Sequence, residues 1–405
     1  MDTRDVLEGI RVVDFCWAGV GPMTTRQLAD FGAEVIRVES STRVDTSRRS
    51  PPHRTGVRNQ DSSTGSGNYN SNKLSISVNV KHKEGVELVR RLVTVADVVT
   101  DSFSGGVMQR LELGYDKLKE IKPDIIAASL SLMGQTGPHF YFRGHGNILQ
   151  AMGGLNHLTG WPERQPFAPA LAFTDYWIPH LWATAIMGAL AYRRRTGKGQ
   201  FIDCAGLQGA IQATGSAILE FTANGTVRTR SGHRHPSYAP HGIYRCLGED
   251  SWCALAVGED REWRGLCSLM GDPSLAEDER FASASARAEH VEELDKLVTA
   301  WTQTRPAREV EGVLQGAGIA AAVAQTVRDL HEDPQLKHRG HFWEWPGEEF
   351  RQFTFEGPAF RLSKTPARLQ RPRPELGQHN SYVFTEVLGL ADAEYADLIA
   401  KGVIE

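Results

Sequence analysis

Leu7 to Ser40 reads LEGIRVVDFCWAGVGPMTTRQLADFGAEVIRVES, and this stretch decides the fold class. Ile10–Phe15 (IRVVDF) is a short β-branched run, the composition of a buried strand. Ala18-Gly19-Val20-Gly21-Pro22 is a small-residue turn, and a helix is expected from about Pro22 to Phe31. Pro22 suits a first helical turn and Gly32 suits the residue past the helix end. Ala33–Glu39 (AEVIRVE) is a second strand. Strand, helix and strand in direct succession make a βαβ unit, which requires a parallel sheet.

The alternation continues outward. Leu74–Val80 reads as a strand, Glu84–Ala96 as an amphipathic helix and Asp97–Asp101 as a strand. Gly106–Leu111 and Tyr115–Ile121 read as helices, and Ile125–Leu132 as a buried strand. Up to about Gln200 the pattern is that of a Rossmann-like, doubly wound parallel sheet. Ser40–Asn68 is a long loop rich in Ser, Arg, Pro and Gly. Trp177–Tyr192 is apolar but interrupted by Pro179 and His180, and is read as a buried helix, not a membrane span. A long helix is expected from Leu207 to about Ala223, then a polar linker over Asn224–Pro240. Beyond it, Ile243–Cys246 and Trp252–Val257 pair as strands, with helices at Glu262–Met270, Ala286–Trp301 and Ala307–Gln315. The resulting division is a large domain over 1–224, a linker and small α+β domain over 225–329, and a C-terminal segment over 330–405. That segment holds an extended Arg371-Pro372-Arg373-Pro374 stretch and a helix over Asp392–Lys401.

The 405 residues carry 45 Lys plus Arg against 49 Asp plus Glu, a formal net charge of −4, which argues against a general nucleic-acid binder. No apolar signal-peptide core precedes Leu7. The five cysteines, Cys16, Cys204, Cys246, Cys253 and Cys267, are odd in number and scattered, and suggest neither a disulfide framework nor a zinc site. A reducing, cytoplasmic setting fits. Gly19-Val20-Gly21 sits where a Rossmann fold binds phosphates, but the third glycine of GxGxxG is missing and Pro22 lacks a backbone donor.

Several segments in order resemble the family III CoA-transferases. They are the opening Leu7–Ser40, NYNSNKLSISVNV (Asn68–Val80), ADVVTDSFSGGVMQRLELGYDKLKEIKPDIIAASLSLMGQTGP (Ala96–Pro138), AYRRRTGKGQFIDCA (Ala191–Ala205) and RPRPELGQHNSYVFTEVLGL (Arg371–Leu390). The resemblance implies an interlocked dimer, either a homodimer or a heteromer with a homologous subunit. It also implies CoA thioesters and carboxylic acids as substrates, with no permanently bound cofactor, no metal, no nucleic acid and no membrane.

Its nucleophile position is Asp175, in LAFTDYWIPHLWATAIMGALAYRRRTGKGQ. A carboxylate splits a difficult acyl exchange into two steps through a covalent intermediate. Apolar neighbours would raise its pKa, so compensating donors are expected at the following helix start. The alternative is that Asp175 only caps that helix. For CoA contact the resemblance points to Ala18, Gly19, Lys73, Phe103 and Arg110; for Lys73 and Arg110 the alternative is a solvated surface charge. Ser102 replaces the asparagine that relatives place before Phe103, and Arg43 is the candidate to serve for an arginine that some relatives carry at the position of Ser40.

Near the substrate the reading places His145, Gln150 (in GHGNILQAMGGL) and Tyr176, with a buried capping amide as the alternative for Gln150. The family's α-methylacyl-CoA racemases use a histidine and an aspartate as two bases, and His145 with Asp175 is a partial match; racemase or epimerase is therefore the rival function. Thr159–Pro162 with Phe140, Tyr141, Phe142, Tyr176 and Trp177 suggests a roomy aromatic pocket, as in members acting on aryl-substituted succinates such as benzylsuccinate with succinyl-CoA as donor. Arg143, Arg234 or His233 is the candidate cation for a second carboxylate.

Overall fold

The computed structural model describes residues 5–51, 53, 63–169, 172–346 and 353–405. They fall into two compact units, one from Met1–Asn156, Ala168–Val227 and Lys337–Glu405, the other from His157–Phe167 and Arg228–Leu336. His157–Phe167, read from the sequence within the large domain, thus goes with the second unit.

The first unit is built on β1 (Arg11–Phe15), β2 (Glu34–Glu39), β3 (Leu74–Ser77), β4 (Val98–Asp101), β5 (Ile126–Ser131) and β6 (Phe201–Ala205). They form one sheet in the order β3-β2-β1-β4-β5-β6, parallel throughout. The order runs outward in both directions from the β1–β4 pair, the arrangement of a doubly wound sheet. Its helices are α1 (Val20–Asp30), α2 (Thr64–Asn70), α3 (Lys83–Thr94), α4 (Val107–Arg110), α5 (Tyr115–Ile121), α6 (Gly146–Met152), the start of α7 (Leu155–Leu158), α8 (Phe173–Thr196), α9 (Gly206–Gln212) and α10 (Gly215–Asn224). Side chains alternate across the pleat. Val13 and Ile36 join the apolar layer with α3 and α5, while Val12 and Val35 join the layer with α1 and α8.

Two expectations are corrected here. The helix expected to run from Leu207 to Ala223 breaks into α9 and α10, because the Thr214 hydroxyl bonds back to the Ile211 carbonyl at 2.9 Å and to the Gly153 carbonyl at 3.2 Å. The apolar helix α8 is buried on one face only: Ile178, Trp182 and Ile186 are buried, whereas Trp177, Met187 and Tyr192 are exposed.

The open edge of β3 is covered by the last segment of the chain. His379 N–H donates to the Ser75 carbonyl at 2.9 Å and Glu405 N–H to the Ser77 carbonyl at 3.1 Å, while Ser77 N–H donates to Asn380 Oδ1 at 2.8 Å. Covering an edge this way removes a template for unwanted pairing. Among the described residues no helix is long and apolar enough to cross a membrane.

Under the β1–α1 turn, Lys73 is fully buried. Its ammonium meets Asp14 Oδ2 at 3.1 Å, Thr25 Oγ1 at 2.7 Å, the Pro22 carbonyl at 2.9 Å and Asn70 Oδ1 at 3.0 Å. Burial alone would raise the Asp14 pKa; the Lys73 charge and the Thr25 hydroxyl outweigh it and hold the carboxyl below its ordinary value.

The second unit packs helices over Asp260–Met270, Val291–Thr302 and Ala307–Gly316 on an antiparallel sheet of β7 (His241–Arg245), β8 (Trp252–Ala256) and β9 (Ala320–Val323). Trp263, Phe281, Val298 and Leu314 fill its core. The helix expected over Ala286–Trp301 is two, Ala284–Glu289 and Val291–Thr302, joined at His290.

Replacing Lys73 by methionine leaves Asp14 buried without its cation. The expected cost is about 3–5 kcal/mol of unfolding free energy, read from the denaturant midpoint; a loss under about 1 kcal/mol would show the pair to be dispensable.

Candidate active site

The carboxyl ends of β1 to β4 open into a cavity of about 470 Å³, lined by Trp17, Arg43, Lys81, Phe103, Arg110 and Arg143 among others. It lies beside the β1–β4 switch point, where open α/β sheets bind ligands. Among the described residues its one acidic lining residue, Glu39, is spent on Arg48 at 2.6 Å. Four cations therefore face a space without a competing free carboxylate, an arrangement suited to phosphate groups. The Arg43 guanidinium stands 5.0 Å over the Trp17 ring, and Phe103 meets that ring edge-on at 5.9 Å. The result is an aromatic corner with a cation on one face, suited to a heteroaromatic base.

The turn after β1 leads from this cavity to Asp175. Trp17 N–H donates to Ser102 Oγ at 2.8 Å, so Ser102 ties the loops after β1 and β4 together. Ala18 takes a left-handed φ of 61°, unusual for a residue with a side chain. Its N–H donates to both Asp45 oxygens, at 3.1 and 3.2 Å. Asp45 is fixed in turn by Arg37. Next comes Gly19, where a β-carbon would stand 3.8 Å from Asp175 Oδ2.

A second segment makes the same connection. Arg143 lines the cavity, His145 acts electrostatically on Asp175, and Gly146 lies against the Asp175 carboxyl. A β-carbon on Gly146 would stand 2.5 Å from Asp175 Oδ1 and 2.3 Å from the Ala172 β-carbon. Only glycine fits there without displacing one of them.

Asp175 is the third residue of α8, whose cap is Ala172. It is therefore inside the first turn and is not the cap. Burial pushes its carboxyl up to about 6, with the His145 charge pulling the other way. Among the described residues no hydrogen bond reaches this carboxylate, so the compensating donors expected from the helix start are not in place; the helix dipole acts with His145 to favour its ionised form there. Pro179 has no N–H for the Asp175 carbonyl four residues earlier, which removes one helical bond next to the nucleophile position.

The structure thus brings Phe103 and Arg110 to the cavity, Ala18 and Gly19 to the connecting turn, and His145 and Tyr176 to the surroundings of Asp175. Lys73, expected along the CoA path, is buried in the core with its donors engaged, because the Asn-Lys turn points inward at Asp14. Gln150 is fully buried on α6. Arg234 is paired with Asp295 at 2.7 Å, and with His233 it lines a separate cavity of about 400 Å³ within the second unit. Sequence reasoning missed Trp17, Lys81, Gly146 and Tyr69. Of these only Trp17 carried a signal, as the aromatic residue directly after β1.

A doubly wound sheet with a cation-rimmed cleft at its switch point and a half-buried carboxylate at the far end is an arrangement suited to an enzyme with a phosphorylated ligand. The chain belongs to CoA-transferase family III, whose model matches residues 7–380, and is a CoA-transferase. It is 34% identical over 398 residues to a succinyl-CoA–D-citramalate CoA-transferase of Chloroflexus aurantiacus, covering 98% of each chain. It is 31% identical over 408 residues to the mouse succinyl-CoA:glutarate CoA-transferase, covering 100% of this chain and 91% of that one. A crystal structure of a CaiB/BaiF family protein from Brucella suis superposes with a TM-score of 0.87 at 33% identity, over 95% of this chain and 100% of that one.

Gly146→Ala is expected to lower kcat about a hundredfold, since a shift of about 1 Å at a reacting group costs that much, with CoA affinity within a few-fold of wild type. Pairing it with Ala172→Gly removes one of the two clashes; full recovery of kcat in the double variant would assign the loss to Ala172 and not to the carboxylate.

Proposed function

We propose that this enzyme moves coenzyme A from a short dicarboxylic acyl-CoA, with succinyl-CoA the favoured donor, to a second dicarboxylic acid, with Asp175 as the covalent nucleophile. One observation carries the reading: two independent segments, Trp17–Gly19 and Arg143–Gly146, each have one end in the cationic cavity and the other against Asp175. A ligand with phosphates in the cavity has a walled path that ends at a carboxylate. Arg43, Lys81, Arg110 and Arg143 hold the phosphates, and Trp17 and Phe103 the base.

Asp175 attacks the thioester carbonyl and the CoA thiolate leaves, giving an acyl–aspartyl anhydride. The thiolate attacks the aspartyl carbonyl, the first acid departs as its carboxylate, and an aspartyl-CoA thioester remains. The second acid's carboxylate repeats the sequence in reverse and Asp175 is restored. Bond types are conserved overall, so no nucleotide triphosphate is needed.

The dicarboxylate choice is supported by relatives named for citramalate and glutarate. An aryl-substituted succinate rests on the exposed aromatics Phe140, Tyr141, Phe142, Tyr176 and Trp177 alone. A second chain is part of the proposal: Leu219 and Phe221 on α10 are left exposed, and a relative at 28% identity is named as the beta subunit of a succinyl-CoA–L-malate CoA-transferase. The racemase reading is favoured by one observation, the electrostatic coupling of His145 to Asp175; it requires exchange of the α-proton with deuterated water at a rate comparable to turnover.

Incubating the enzyme with succinyl-CoA and mapping peptides is expected to show a CoA-sized, hydroxylamine-sensitive adduct on the peptide containing Asp175. Asp175→Ala should abolish both adduct and transfer while CoA still binds; retained transfer would sink the mechanism. Because only the ionised carboxylate attacks and its pKa is raised to about 6, log kcat/KM should fall below about pH 6. His145→Ala should move this acid limb upward, since the histidine charge is what lowers it. A limb that stays in place would remove His145 from the electrostatics of the site.

A further inference from the structure

Beside Asp175 stand two phenols that the transfer chemistry does not use. Tyr176 follows the nucleophile on α8, and its hydroxyl lies 3.3 Å from that of Tyr69, on α2. The two rings come from elements more than a hundred residues apart in sequence. Tyr176 is 41% exposed, and Tyr69 is partly buried. The Tyr69 phenol is held firmly protonated, first by burial, then by the Tyr176 hydroxyl, and further by the charges of Glu356 and Asp175. The last of these causes puts its oxygen within the electrostatic reach of the carboxylate that carries the acyl group.

Two phenols have two protons between them, and their mutual hydrogen bond uses one. The second proton has no acceptor among the described residues. A neutral O–H donor is therefore left over within the electrostatic reach of Asp175, while the four cavity cations face the other end of the path.

We propose that Tyr69 and Tyr176 form a hydroxyl pair that determines acid specificity, by donating to a second oxygen function on the acid bound at Asp175. This inference rests on the proposed transferase reading and adds the residues that tell a dicarboxylate from a monocarboxylate. The recognised group is the remote carboxylate of the acid. A neutral donor suits it because a charged one would also compete for the Asp175 carboxylate between turnovers.

The test compares glutarate with valerate as CoA acceptors, acids of equal carbon count that differ only in the terminal carboxylate, with succinyl-CoA as donor. The readout is the ratio of their kcat/KM values in wild type, Tyr69→Phe, Tyr176→Phe and the double variant. Loss of a hydrogen bond to a charged group is worth about tenfold or more, so the single variant that removes the phenol donating to the acid should lower the glutarate preference about tenfold. The double variant, which has no hydroxyl left, should fall at least as far. An unchanged ratio in both single variants overturns the inference, and so does an equal loss for both acids, which would mean that the pair only supports Asp175. CoA affinity checks that each variant is folded; if one fails, the other carries the test alone. A wild-type enzyme that transfers CoA to neither acid and forms no aspartyl adduct would instead remove the transferase reading itself.

Discussion

The buried ammonium of Lys73 on Asp14 is the constraint from which the rest of the first unit is arranged. It joins β1, the first two turns of α1 and the end of α2 through four oxygens inside the core. An ion pair that deep gains little net stability, since desolvation consumes most of the attraction. What it does is refuse alternatives: any register that moves β3 relative to β1 strands a charge. The Cys16 N–H, bonded to Asp14 Oδ1 at 3.0 Å, extends this fixity to the start of the connecting turn. From there Ser102 and Asp45 hold Trp17 and Ala18, and Gly19 is delivered to Asp175. The position of the residues beside Asp175 is thus set by a core interaction on the other side of the turn.

A second buried network does the same for the mouth of the cavity. Arg37 on β2 pairs with Asp45, and Glu39 at the end of β2 is held by Arg48 at 2.6 Å and by Ser75 Oγ at 2.8 Å. Of these charges Asp45 and Arg48 sit in the segment that reads, from composition alone, as a long loop after β2. The two are buried and paired internally, not solvated. The consequence for the ligand is that the acids near the cavity are already neutralised, leaving the field of Arg43, Lys81, Arg110 and Arg143 uncompensated.

This explains what could and could not be read in advance. The alternation of strand and helix, and with it a parallel sheet, follows from β-branched runs separated by amphipathic helices, because periodicity records burial directly. Asp175, Phe103 and Arg110 came from motif order. Lys73 was misjudged because a lysine is nearly always solvated, and only the partners it meets in three dimensions reveal the exception. The break between α9 and α10 depends on Thr214 bonding to Gly153, a residue distant in sequence. Tyr69 was invisible for the same reason: its significance lies in a partner on another helix, and its own neighbours in sequence say only that the chain is turning.

The environment of Asp175 reconciles two opposed demands. A carboxylate in water is a poor nucleophile toward a thioester because its charge is well solvated, and each hydrogen bond it accepts lowers its reactivity further. Burial strips that solvation and raises the pKa to about 6; stronger burial would leave the group protonated and inert. At neutral pH a group with that pKa is still about nine-tenths ionised. The first turn of α8 and the His145 charge supply field without occupying the oxygens. Gly19 and Gly146 keep side chains away from both of them. The two oxygens are left partly desolvated, largely ionised at neutral pH and free of neighbouring side chains at Gly19 and Gly146, which is the state that attack on a thioester carbonyl would require.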